Sequence, residues 1–202
     1  MIIHVHPENP QPRNIRTIID CLESGGVIIY PTDTIYGLGC DIRQHKAIQR
    51  ILQIKKLNQS KINLSFICYD LSDLSKYTKS ISTPIYRILK NSLPGPFTFI
   101  LPASKQVPRI LKSKKETIGL RVPDNKIART IVKELGYPIL STSIPGDRVE
   151  DYTDPEIMHE IFEKLVDLVI DGGPGGTIPS TVVDFTSTEP QIIRQGLGEI
   201  EI

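Results

Sequence analysis

The chain has 202 residues, 39% of them hydrophobic, with 24 Lys and Arg against 23 Asp and Glu. That apolar share can build a full core, and the near-zero net charge excludes a uniformly basic or acidic chain. Cys21, Cys40 and Cys68 are odd in number and lack CxxC spacing, which argues against a disulfide framework and a cysteine zinc site and fits a reducing cytoplasm.

The N-terminal MIIHVHPENPQ alternates apolar and polar residues, without the basic stretch and apolar run of a secretory signal. No segment approaches the roughly 18 uninterrupted apolar residues of a membrane span. A soluble, cytoplasmic protein forming a single domain over residues 1–202, with no membrane partner, is expected. His4 and His6 would share one strand face, where histidines are commonly polar surface, and no metal ligand set is assigned.

Gln11 to Ser24 carries Ile15, Ile18, Ile19 and Leu22 at helical spacing, with Pro12 in the first turn and Gly25 after it. Val27 to Tyr30 reads as a buried strand stopped by Pro31. Thr32, Asp33, Thr34 and Tyr36 then fall in a loop at its carboxyl end, where open α/β sheets bind ligands, and Gly37 and Gly39 allow close backbone approach. A helix is predicted over Lys46 to Lys55, a strand over Leu64 to Cys68 and a helix over Pro84 to Asn91. Strands follow at Thr98 to Leu101 and Thr117 to Val122, the latter carrying Arg121 outward. Asp124 is placed to cap a helix reaching Leu135, with Gly136 beyond. Next come a strand at Pro138 to Ser143, a helix from Pro155 to Leu165 with Ile157, Ile161 and Phe162 apolar, and strands at Leu168 to Ile170, in STVVDFT and at Gln191 to Arg194. This interleaving predicts an α/β fold with one open, twisted, mixed sheet and flanking helices.

Charge is unevenly spread. From Ile42 to Lys115 basic residues face only Asp70 and Asp73, and from Asp147 onward the balance reverses. Folded onto one side, the first part makes a cationic surface for phosphates; spread over several faces, it only keeps the protein soluble.

The polar strand ends offer Thr32, Thr34, Lys55, Lys61, Thr117, Arg121, Ser141, Ser143, Ser180, Thr181 and Arg194. Hydroxyls and cations without a nucleophile–histidine pair or a carboxylate dyad suit the holding of an anion, as in phosphoryl or nucleotidyl transfer. For Arg121 and Arg194 an ordinary salt bridge is the competing reading. GGPGG lacks the lysine and hydroxyl of a P-loop; a flexible turn is predicted there, with glycine N–H groups open to phosphate.

The segments GGVIIYPTDTIYGLGCD, LPGPFTFIL, TIGLRVPDN, PILSTS, STVVDFT and IIRQG, in this order over nearly the whole chain, resemble the YrdC-like family of threonylcarbamoyl-AMP synthases, and its YciO branch most. The resemblance implies a YrdC-like sheet bent around a concave basic cavity. It also implies condensation of L-threonine, bicarbonate and ATP into threonylcarbamoyl-AMP and pyrophosphate, with Mg2+ as counter-ion, for tRNA t6A modification. By the same likeness, Thr34, Arg121, Ser141 and Ser180 surround the threonine, and Lys55, Lys61, Thr117, Ser143 and Arg194 surround the nucleotide. Lys55, Lys61 and Arg194 would carry the catalytic role.

The chain departs from the synthase pattern at three places: Leu57 replaces an arginine of the KxR pair, Phe66 falls where a histidine is expected, and Pro145 replaces the asparagine of SxN. Losing one charge-assisted contact to a transition state costs about 2.7–4 kcal/mol, so such changes can silence turnover without harming the fold. Three readings stay open. They are a synthase-like nucleotidyltransferase, a non-catalytic module binding tRNA or double-stranded RNA, and a diverged ATP-dependent enzyme on another small metabolite.

Overall fold

The computed structural model describes residues 1–55, 64–108, 111, 116–146, 152–187 and 189–200. Strand β1 (Ile2–His4) is followed by helix α1 (Pro12–Glu23), which buries Ile15, Ile18, Ile19 and Leu22 along one face. Strand β2 (Ile28–Tyr30) is wholly buried. The glycine-bearing stretch after it is not all loop: Gly37–Asp41 forms a strand, β3, paired antiparallel with β2. Helix α2 (His45–Ile54) buries Ala47, Ile48, Ile51 and Leu52 and leads to strand β4 (Ser65–Ile67). Helix α3 (Leu71–Lys76), absent from the predicted elements, is capped by Asp70, whose side chain accepts from the Asp73 N–H at 2.8 Å. Six residues are too few for a periodic apolar signal.

Helix α4 (Thr83–Ser92), strand β5 (Phe97–Pro102) and strand β6 (Thr117–Arg121) come next. Helix α5 (Lys126–Leu135) ends on Gly136, whose φ of 73° suits a residue without Cβ. The cap of α5 is Asn125 rather than Asp124. Its carboxamide accepts from the Ala128 N–H at 3.0 Å, the three-residue reach an N-cap requires. Strand β7 (Ile139–Ser143) precedes helix α6 (Pro155–Phe162). Helix α6 stops three residues short of the predicted Leu165 and faces differently, with Pro155, Met158 and Phe162 buried while Ile157 and Ile161 are exposed. Two apolar stripes compete on that helix, and the one holding the aromatic ring is buried. Strands β8 (Leu168–Asp171), β9 (Thr181–Asp184) and β10 (Gln191–Arg194) complete the order.

All ten strands form one open sheet in the order β1-β8-β2-β3-β7-β4-β6-β5-β9-β10, and parallel and antiparallel pairs are mixed. Alternating side chains divide the core. Ile28, Ile139, Leu168 and Ile170 pack with α1 and α5 on one face, while Val27, Ile29, Leu140 and Val169 pack with α2 and α6 on the other. None of the helices among the described residues is long and apolar enough to cross a membrane.

Candidate anion-binding site

The face that α1 and α5 cover over Ile139 and Ile67 continues along the same strands as a polar surface. Ser141 lies two residues beyond Ile139 on β7, and Ser65 lies two residues before Ile67 on β4. Register lines up Gly39, Ser141, Ser65, Gly119 and Ile100 across five strands. Small residues here leave a cavity of about 410 Å3.

The cavity gathers Thr117, Arg121, Ser141, Ser143 and Arg194 from three strands, Lys55 from the end of α2 and Ser180 from the residue before β9. Thr34 stands behind the wall, buried, with its Oγ1 accepting from Arg121 Nη2 at 2.7 Å. Lys61, Lys56 and Leu57 lie outside the described residues.

Arg121 does not point outward as predicted. Its side chain is 9% exposed, and its Nη2 also donates to the carboxylate of Asp33 and to Thr32 Oγ1 at 3.4 Å. Arg121 is the last residue of β6, beside Ile67 of the parallel strand β4, and its bonds to Asp33 and Thr34 turn the guanidinium inward. Its Nε is buried with no partner among the described residues. Arg194 donates to the Ser180 carbonyl from Nε at 3.1 Å and Nη2 at 2.8 Å, and to Ser180 Oγ at 3.2 Å. Ser180 Oγ also meets Thr98 Oγ1 at 2.9 Å. Arg194 has no carboxylate partner among the described residues. Half-buried Lys55 donates from Nζ to the Ser143 carbonyl at 3.0 Å and hydroxyl at 3.1 Å.

Desolvation shows in the titration of these groups. Burial lowers the pKa of Lys55, and burial followed by the positive charge of Arg121 lowers that of Arg194. Among the described residues no Asp or Glu lines the cavity, so its cations are balanced only by Asp33 behind Arg121. A negatively charged ligand relieves that imbalance. Among the described residues the cavity thus offers Mg2+ no carboxylate ligand.

The GGPGG segment is a strap whose N–H groups are spent within the protein. Gly172 N donates to Tyr36 Oη at 3.1 Å, Gly173 N to Asp171 Oδ1 at 2.8 Å, Gly175 N to the Thr153 carbonyl at 2.8 Å and Gly176 N to the Thr34 carbonyl at 2.8 Å. Tyr36 Oη in turn donates to the Gly173 carbonyl at 2.6 Å. The strap therefore pins the loop that holds Arg121, and its amides do not meet phosphate.

Phe66 is fully buried in the core, edge-on to Tyr77, while its neighbour Ser65 faces the cavity. The Phe66 ring itself therefore does not line the cavity. His6 Nδ1 accepts from the backbone of Glu8 and Asn9, whereas His4 Nδ1 meets Asp171 Oδ2 at 2.6 Å, so the two histidines serve different partners. Sequence reasoning missed Thr98 and Ser65 on the cavity wall and Tyr30 beneath it. For Tyr30 a signal existed, a phenolic hydroxyl ending an otherwise aliphatic buried run just before a Gly-Leu-Gly.

A profile of the Sua5/YciO/YrdC domain, described as telomere recombination, matches residues 20–196. The chain is 43% identical over 201 residues to the uncharacterized protein YciO of Escherichia coli, covering 98% of this chain and 96% of that one. It is 31% identical over 165 residues to threonylcarbamoyl-AMP synthase of Coxiella burnetii, covering 82% and 88% respectively. The crystal structure of E. coli YciO superposes with a TM-score of 0.92 over 98% of this chain and 97% of that one. P. abyssi Sua5 complexed with L-threonine superposes with a TM-score of 0.86 at 28% identity, over 97% of this chain and 57% of that one. The fold is thus the mixed α/β sheet of the YrdC domains in YciO and Sua5. The chain belongs to the Sua5/YciO/YrdC family.

Proposed function

We propose that this chain, acting as a single cytoplasmic domain, binds ATP and L-threonine in the cationic cavity and joins them through bicarbonate to give threonylcarbamoyl-AMP and pyrophosphate for tRNA t6A modification. The observation that carries this reading is the convergence of Lys55, Arg121 and Arg194 on one cavity whose described lining holds no carboxylate. Arg121, Ser141 and Ser180, with Thr34 behind them, face the amino-acid carboxylate. Lys55, Thr117, Ser143 and Arg194 face the nucleotide.

No side chain is needed as a nucleophile. The threonine amine takes up bicarbonate with loss of water to form a carbamate, and a carbamate oxygen attacks the α-phosphorus. The bond to the β-phosphate bridging oxygen breaks, and pyrophosphate leaves with the electron pair. The cations stabilise charge gathering on the phosphoryl oxygens. Incubation with ATP–Mg2+, L-threonine and bicarbonate tests this: pyrophosphate and the adenylate are expected, and neither appearing beside an active synthase control overturns turnover. Saturable ATP and threonine binding without product would keep the site and remove the reaction.

Exposed Lys79, Arg87 and Lys90, without ion-pair partners among the described residues, favour one further role. On this reading the same protein holds tRNA or double-stranded RNA by its backbone. Such binding weakens steeply as salt rises; salt-insensitive binding, or none, contradicts it.

A further inference from the structure

Ser141 is held from behind by Tyr30. The ring of Tyr30, fully buried on β2, crosses β3 where that strand has no side chains. A Cβ at Gly37 would stand 3.0 Å from Tyr30 Cε1 and 3.2 Å from Ser141 Oγ, and a Cβ at Gly39 would stand 3.0 Å from Cε1. The two glycines thus form a slot through which the phenol reaches the cavity wall, and Tyr30 Oη donates to Ser141 Oγ at 2.6 Å. Burial pushes the Tyr30 hydroxyl up to about 12, so it remains a donor throughout the physiological range.

A serine hydroxyl carries one proton and two lone pairs. One lone pair of Ser141 is taken by Tyr30, and none of the hydrogen bonds among the described residues uses the serine's own proton. That proton is left for the cavity, which Ser141 lines beside Arg121. Resting on the reading of the cavity given above, we propose that Tyr30 is a positioning residue that orients Ser141 as a hydrogen-bond donor to the carboxylate of the bound amino acid. A carboxylate offers a fixed donor a charged acceptor at either oxygen, whereas an amide or an alcohol offers a neutral acceptor and also presents a donor, so the wall favours the carboxylate.

The test is a double-mutant cycle of Tyr30→Phe, Ser141→Ala and the pair, read by calorimetric titration of L-threonine, with the unfolding temperature measured alongside. Tyr30→Phe is expected to weaken L-threonine binding about fivefold, and to add nothing once Ser141 is alanine. A lowered unfolding temperature with unchanged threonine affinity overturns the positioning role, as does an equal loss of affinity in both serine and alanine backgrounds. Failure of the unmodified protein to bind L-threonine overturns the reading of the cavity itself and this inference with it.

Discussion

Lys55, at the carboxyl end of α2, donates from Nζ to both oxygens of Ser143, the last residue of β7. The contact ties a helix end to the cavity wall and holds an ammonium in place before any ligand arrives. Lys55→Ala is expected to weaken ATP binding about 10- to 100-fold, the scale of one charge-assisted contact, while leaving the fold intact. Calorimetric titration of ATP–Mg2+ against the two proteins measures it.

Burial lowers the pKa of Lys55 from 10.5. Between that lowered value and 10.5 the unfolded chain binds more protons at this site than the folded one, so this residue's contribution to stability rises with pH through the window. Denaturant titrations in alkaline buffer are expected to show wild type gaining stability relative to Lys55→Gln as pH approaches 10.5. Phosphate binding restores the proton. Below 10.5 in alkaline buffer, ATP binding by wild type therefore takes up protons, seen as a binding heat that varies with the buffer's ionisation enthalpy, and Lys55→Gln loses that dependence.

Arg121 and Asp33 form an ion pair whose side chains are 9% and 10% exposed. Arg121→Ala leaves the Asp33 carboxylate buried without its partner and is expected to cost about 3–5 kcal/mol in urea denaturation. Arg121→Leu combined with Asp33→Asn removes both charges and is expected to recover most of that loss, while threonine binding stays lost in both variants.

Gly39 and Gly37 differ in what surrounds them. An added Cβ at Gly39 meets Ile139 Cγ2 at 2.7 Å and the Leu140 carbonyl oxygen at 2.8 Å, and paired backbone cannot yield. At Gly37 the nearest atoms belong to the Tyr30 ring and to Ser141 Oγ, at 3.0 Å or more. Gly39→Ala is expected to destabilise by about 1–3 kcal/mol and Gly37→Ala by less, as thermal unfolding would report.

The parts legible in sequence were those with strong period. Ile15, Ile18, Ile19 and Leu22 announce α1, and the aliphatic runs announce β2 and β8. Strand β3 was hidden because its glycines serve the passage of Tyr30, a tertiary demand that overrides strand propensity. Thr117, Arg121, Ser141 and Ser143 meet in the cavity because residues of one parity on a sheet share a face, while Lys55 reaches it from a helix end and Ser180 from the residue before β9. What escaped was direction: the inward turn of Arg121 and the internal use of the GGPGG amides depend on partners 88 and 136 residues away, Asp33 and Tyr36.

Titration of ATP–Mg2+ at physiological ionic strength shows whether this cavity holds a polyanion through Lys55 and Arg194. One saturable site per chain is predicted, weakened at least about tenfold by Lys55→Ala and by Arg194→Ala taken separately. No saturable heat, or binding indifferent to both substitutions, would contradict it.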